Sequence, residues 1–150
     1  MSTQRIGRCG ELLVQYKLLK LGIESAAMTT DAGIDLVAFS AVSQRAITIQ
    51  VKANDAPKKG GGKGKLGLDW WIPDDCPSEL AAFVDVSTDR AWLLTKLELA
   101  SLAQQHSSGR YHFYMYVDPS VKRRGPKLAM QDDFKEHLLE RKAQILVGAR

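Results

Sequence analysis

Apolar residues recur at three- and four-residue steps near the start of the chain. Ile6, Cys9, Leu12, Leu13, Tyr16, Leu19 and Leu21 follow a 3.6-residue period, which predicts an amphipathic helix over residues 5–21. Gly22 stands where a left-handed residue commonly stops a helix. The pattern then changes period. Residues 34–39 and 46–53 are rich in β-branched and apolar side chains, and the short polar link 40–45 predicts that they pair as a hairpin, with a weaker strand before them at 26–30. Residues 54–69 break every periodic pattern and are expected to form a long mobile loop. A second strand pair is expected at 81–86 and 91–95, a helix at 96–105, a strand at 111–117, a basic turn at 118–127 and a closing helix at 132–147. The order α-β-β-β-loop-β-β-α-β-α lacks regular βαβ repetition. An α/β fold is therefore expected, a mixed sheet flanked by helices.

The hairpin is where chemistry concentrates. In the segment ITIQVKAN, alternation puts Thr48, Gln50 and Lys52 on one face and Ile47, Ile49 and Val51 on the other. A turn centred near residue 43 sets positions summing to about 86 opposite each other, so Asp35 falls across from residues 50 to 52. An unpaired carboxylate among apolar neighbours would be costly there. If Asp35 takes the Gln50 and Lys52 face, an acid, an amide and an ammonium meet. Carboxylate, amide and backbone oxygens are hard ligands of the kind Mg²⁺ accepts. A metal so held polarises a phosphoryl oxygen and acidifies bound water, while Lys52 would position water or offset charge developing on phosphorus. Glu11, off the most apolar stripe of the first helix, is placed to supply a second carboxylate.

Glu11 in GELLVQYKLLKLG, Asp35 in GIDL and the tripeptide Gln50-Val51-Lys52 resemble the PD-(D/E)XK pattern of restriction-endonuclease-like proteins. The QxK form is similar to small members of that group, the homing endonucleases and Holliday-junction resolvases. The resemblance implies a restriction-endonuclease-like mixed sheet and a metal-dependent DNA endonuclease using Mg²⁺ (or Mn²⁺). It assigns Asp35, Gln50, the Val51 carbonyl and Glu11 to the metal and Lys52 to catalysis. Ile34 stands where the motif's name has proline. Gln50 replaces the usual acid and removes one negative charge, so a non-catalytic DNA-binding module of the same fold is the alternative. An enzyme acting on RNA also stays open.

Composition adds limits. The 150 residues suit a single domain, 1–150; hydrophobic residues make up 45% and charged residues 25%, an ordinary globular balance. Net charge is +4 with a pI near 9.1, which permits a polyanionic partner. Cys9 and Cys76 match no zinc or redox spacing and are expected as reduced thiols of a cytoplasmic protein. Neither a signal peptide nor a run of the ~20 apolar residues a membrane span needs is visible.

Lys58, Lys59, Lys63 and Lys65 in the glycine-rich segment form one candidate phosphate-binding cluster, although the spacing is not that of a Walker loop. Lys122, Arg123, Arg124 and Lys127 form a second. Arg110, His112, Tyr114 and Tyr116 alternate with Tyr111, Phe113, Met115 and Val117, which reads as a half-buried strand or a stacking surface for nucleotides. Of Trp70 and Trp71, one is expected in the core. One hydrolytic site cuts one strand, so cutting both implies a homodimer or higher oligomer.

Overall fold

The computed structural model describes residues 1–30, 32–122 and 125–147. Its first helix, α1 (Thr3–Lys20), opens on Ser2, whose hydroxyl accepts from the Arg5 amide at 3.3 Å. The helix closes through Gly22 at φ 78°: Ile23 N–H reaches the Leu18 carbonyl and Gly22 N–H the Leu19 carbonyl, which pairs the last orphan acceptors.

The strands form two sheets. β1 (Glu24–Ala27), β2 (Leu36–Ser40), β3 (Arg45–Asn54), β6 (Leu80–Asp85) and β7 (Arg90–Thr95) make a five-stranded sheet in the order β1-β2-β3-β6-β7. β3 and β6 run parallel and the other neighbours antiparallel, so this is the expected mixed sheet. β4 (Lys58–Lys59), β5 (Leu66–Pro73), β9 (Arg110–Tyr116) and β8 (Gln105–Ser107) form an antiparallel sheet in the order β4-β5-β9-β8. Helix α2 (Lys96–Leu102) follows β7, and α3 (Leu139–Val147) ends the described chain.

Each face of the mixed sheet has its own core. On one, Leu36, Ile49, Val51, Ala82 and Leu93 pack with Val14 and Leu18 of α1 and with Leu139 and Ala143 of α3. On the other, Phe83, Trp92 and Leu94 meet Leu68, Trp70 and Ile72 of β5 and Phe113 and Met115 of β9. Trp70 stacks on Phe83 with ring centroids 5.0 Å apart, so Trp70 is the core member of the tryptophan pair.

Four expectations need correction. The buried face of α1 runs through Gly10, Val14 and Leu18, whereas Leu12, Tyr16 and Leu19 are exposed. The reason is Gly10: a Cβ there would lie 2.7 Å from the Ala53 Cβ, so close approach to β3 sets the helix rotation. Second, residues 54–69 are not one long loop. β4 pairs with β5 around a tight turn in which Gly64 N–H donates to the Gly60 carbonyl at 2.7 Å. Third, the closing helix is split. A 3₁₀ turn at Gln131–His137 gives way at Leu138, extended at φ −52° and ψ 137° and bridged to Trp92, before α3 begins. Fourth, Lys127 donates to the Ala103 carbonyl at 2.6 Å and so braces the end of α2.

That end of the molecule carries a titratable junction. Lys142 contacts Glu98, and His137 Nδ1 lies 2.8 Å from Glu98 Oε2. Burial holds His137 below its ordinary pKa, and Lys142 acts in the same direction against the opposing pull of Glu98. For Glu98, burial alone would raise the pKa, but hydrogen bonds from Lys142 and the Thr95 amide, with the charges of Lys142 and His137, leave it lowered. Both groups therefore bind fewer protons folded than unfolded. Their stabilisation is present above the unfolded values and is lost as pH falls, first near the histidine range at about 6.5 and then through the carboxylate range. Thermal melts should lose stability between about pH 7 and 5, and His137→Gln should flatten that first segment. A variant profile parallel to the parent would disprove this account.

Candidate active site

The β2–β3 hairpin pairs Leu36 with Ile49 and Ser40 with Arg45, a register that brings Asp35 level with Gln50. Asp35 N–H donates to the Ile49 carbonyl at 3.0 Å, which carries the pairing past the end of β2. The Asp35 carboxylate then curls inward. Its Oδ2 accepts from Gln50 Nε2 at 2.7 Å and from the Val51 amide at 2.7 Å. Gln50 is only 5% exposed, so this is a largely desolvated acid–amide contact.

The approach to Asp35 is rigid. Gly33 sits at φ 82°, and its carbonyl accepts from Ser78 Oγ at 2.7 Å and from the Cys76 thiol at 3.4 Å. Cys76 also lies 3.9 Å from Gln50 Oε1, so the amide oxygen is turned towards the thiol while its nitrogen serves Asp35. Lys52 shares the Gln50 face of β3, two residues further along, and is half-buried. Asn54 Nδ2 donates to the Asp69 carbonyl at 2.6 Å, tying this end of β3 to β5.

Glu11 stands apart from that contact. It lies on α1, which covers the Val51 and Ala53 face, and its carboxylate is ion-paired with Arg8 at 2.9 Å. Arg5 and Arg8 line an open groove with it. Val51 presents its amide N–H to Asp35. Among the described residues, no group of three His, Cys, Asp or Glu side chains converges to hold a metal ion. The structure thus joins Asp35, Gln50 and the Val51 main chain, sets Lys52 on the same strand face, and leaves Glu11 on the helix layer.

The fold now has a known counterpart. No protein-family model and no curated protein matches the chain. Among solved structures, the chain is similar to the bacterial homing endonuclease I-Ssp6803I, with a TM-score of 0.64 and 15% identity. The match covers 98% of this chain and 92% of the other. The two share a fold. At that identity the likeness speaks for architecture, the mixed sheet flanked by helices.

The basic candidates fall on the second sheet. Lys58 and Lys59 form β4, Lys63 and Lys65 lie in the turn that follows, and Lys65 Nζ donates to Ser120 Oγ at 3.2 Å. Lys122 lines a cleft with Lys65, Tyr114 and Tyr116. Arg123 and Arg124 lie outside the described residues. Pattern reading missed β5 and β8. The alternation of Leu66, Leu68, Trp70 and Ile72 was the available signal for β5. The three polar residues of β8 carried none.

Proposed function

We propose that the chain is a metal-dependent DNA endonuclease of the homing or junction-resolving kind, with a PD-(D/E)XK site in its QxK form. The observation that carries this reading is the 2.7 Å Asp35–Gln50 contact beside Lys52, on a fold similar to that of a homing endonuclease. The donor set fits a hard divalent ion in kind: a carboxylate and a buried amide already meet, and the amide carries an oxygen that a turn of its end group would present. Asp35, Gln50 and the Val51 main chain would hold Mg²⁺ or Mn²⁺, and Glu11 would join them on release from Arg8. When bound, the ion supplies Lewis-acid activation of water and phosphate.

The chain's own groups do the rest. Asp35 concentrates negative charge at the site, and Gln50 contributes an oxygen once its amide is turned over. Lys52 orients the attacking water and offsets charge growing on the phosphoryl oxygens. The water oxygen bonds to phosphorus as the bond to the leaving oxygen breaks, with no covalent enzyme intermediate. Cutting both strands pairs two copies. Exposed Leu12, Tyr16 and Leu19 on α1, the last two in a groove with Phe39 of β2, supply apolar surface for that pairing. Sedimentation of a monomer both free and on DNA would remove the assembly. No helix of the described residues is long and apolar enough to cross a membrane.

The test is direct. Plasmid, branched DNA and single strands are incubated with Mg²⁺ or Mn²⁺, using the parent chain and Lys52→Ala. Metal-dependent cutting that Lys52→Ala abolishes is the expected result. Cutting undiminished in Lys52→Ala would place the site elsewhere, and salt-sensitive binding without cutting would favour the non-catalytic module.

Gln50→Glu gives a readout independent of activity. Two carboxylates would then touch in a desolvated place, which disfavours ionisation of both. The variant should melt below the parent in chelator, and Mg²⁺ should narrow the gap. Equal Mg²⁺ shifts in the two proteins would mean that residue 50 does not touch the ion.

A further inference from the structure

The outer face of the second sheet carries groups that hydrolysis does not use. Alternation turns Leu68, Trp70, Ile72, Phe113 and Met115 inward, so Asp69, Trp71, Arg110, His112, Tyr114 and Tyr116 stand on the opposite side. Register sets Trp71 across from His112 and Asp69 across from Tyr114. The Trp71 and His112 rings lie 3.9 Å apart and within 2° of parallel. The Arg110 guanidinium carbon is 4.8 Å from the Trp71 ring centre, and His112 Nε2 is 3.0 Å from Asp69 Oδ2. Tyr114 and Tyr116 continue the row at centroid spacings of 5.5 and 5.4 Å. At 3.4 Å per residue the row from Arg110 to Tyr116 spans ~20 Å, about six nucleotide rises of B-form DNA.

Lysines flank the tyrosine end of this row. A cleft of about 330 Å³ sets Lys58, Lys59 and Lys65 beside the two tyrosines. Another of about 540 Å³ sets Lys65 and Lys122 beside the same tyrosines. The acids at this surface are Asp69, bonded to His112, Asp118, which accepts from the Ser120 amide at 2.8 Å, and Asp74 at the Arg110 end, bonded to His106. Cations outnumber them, so the partner is polyanionic. The ring geometry selects its form. His112 lies flat on Trp71 and Arg110 sits over the same ring, so the rings are spent on each other rather than open to unstacked bases. Ring edges, tyrosine hydroxyls and cations remain, and these suit phosphates of a paired backbone.

We propose that this sheet face, from Arg110 and Trp71 to Tyr116 with Lys58, Lys59, Lys65 and Lys122 at its margins, is a docking surface for double-stranded DNA held by its phosphates. The inference rests on the nuclease reading for the choice of DNA. It extends that reading because Asn54 ties the Lys52 strand to Asp69, whose carboxylate holds His112, so a hydrogen-bonded path links this sheet to the strand of the candidate active site.

Binding of a labelled duplex and of its single strand is followed by anisotropy across a salt series in chelator, with cleavage scored separately in Mg²⁺. Four proteins are compared: the parent, Lys58→Ala/Lys65→Ala, Tyr114→Phe/Tyr116→Phe, and Lys20→Ala on the helix layer. The lysine pair should reduce the slope of log affinity against log salt by about 2 and weaken binding at about 100 mM salt on the order of tenfold or more. The tyrosine pair should weaken binding at an unchanged slope, and Lys20→Ala should match the parent. Parent-like duplex binding by both double variants overturns the surface even if cleavage is intact, and so does tighter binding of the single strand. Weakened binding in a protein that never cuts leaves the surface standing and removes the nuclease reading instead.

Discussion

Replacing Asp35 with asparagine is expected to leave a folded protein whose metal-dependent DNA cleavage falls by on the order of 10²–10³-fold, the size of loss seen when one electrostatic catalytic group is removed. The choice of asparagine matters. Asp35 Oδ2 accepts from both the Gln50 amide and the Val51 N–H at 2.7 Å. Alanine would strand two desolvated donors, each at a cost of about 1–3 kcal/mol, and would confuse lost chemistry with a lost fold. Asparagine keeps the shape and one acceptor oxygen while deleting the charge. Melting within a few degrees of the parent, together with abolished cleavage, is the signature of a catalytic acid. Retained cleavage at parental rates would show that the Asp35–Gln50 contact is only a brace for the hairpin.

That contact was the part of the site most legible in the sequence. A short polar link and strict alternation determine hairpin register, so a pairing sum of about 86 was within one of the observed 85 for Leu36 with Ile49. The second carboxylate was less legible, for a reason that also governs the fold. Which face of a helix meets a sheet depends on how closely the backbones approach. Here that is decided by Gly10 against Ala53, and a hydrophobicity pattern does not see glycine as contact. The predicted stripe through Leu12, Tyr16 and Leu19 therefore came out exposed, and the direction of Glu11 could not be read from it.

The second sheet was hidden differently. β5 carries a clear two-residue alternation, but it follows a run of glycines and lysines whose composition reads as loop. The edge strand β8 is defined by pairing with β9 alone. At the carboxy-terminal end, Leu138 leaves the helical conformation to bridge Trp92, a tertiary contact overriding local propensity. Local pattern thus located the hairpin and the helices. Contacts distant in sequence set how they face one another.

Gly33→Ala tests whether the hairpin chemistry depends on the turn that delivers it. Gly33 holds φ at 82°, where an L side chain is strained, and a Cβ would lie 2.7 Å from Pro77 Cδ and 2.9 Å from Pro77 Cγ. A proline ring cannot rotate aside, so the backbone must shift. Strain of about 1–3 kcal/mol and overpacking of about 1–3 kcal/mol together make a large fraction of the ~5–15 kcal/mol typical of a domain. Melting should drop by on the order of 10 °C, at about 2–4 °C per kcal/mol for a chain of this size. The shift would also pull the Gly33 carbonyl from Ser78 and Cys76, two residues before Asp35. Surviving protein should therefore lose cleavage at temperatures well below its melting point, whereas Gly22→Ala, at the end of α1 and with open space at its Cβ, should cost stability alone. Equal cleavage per folded molecule in the two variants would mean that the position of Asp35 does not depend on Gly33, and that the rigidity of this turn serves only the fold.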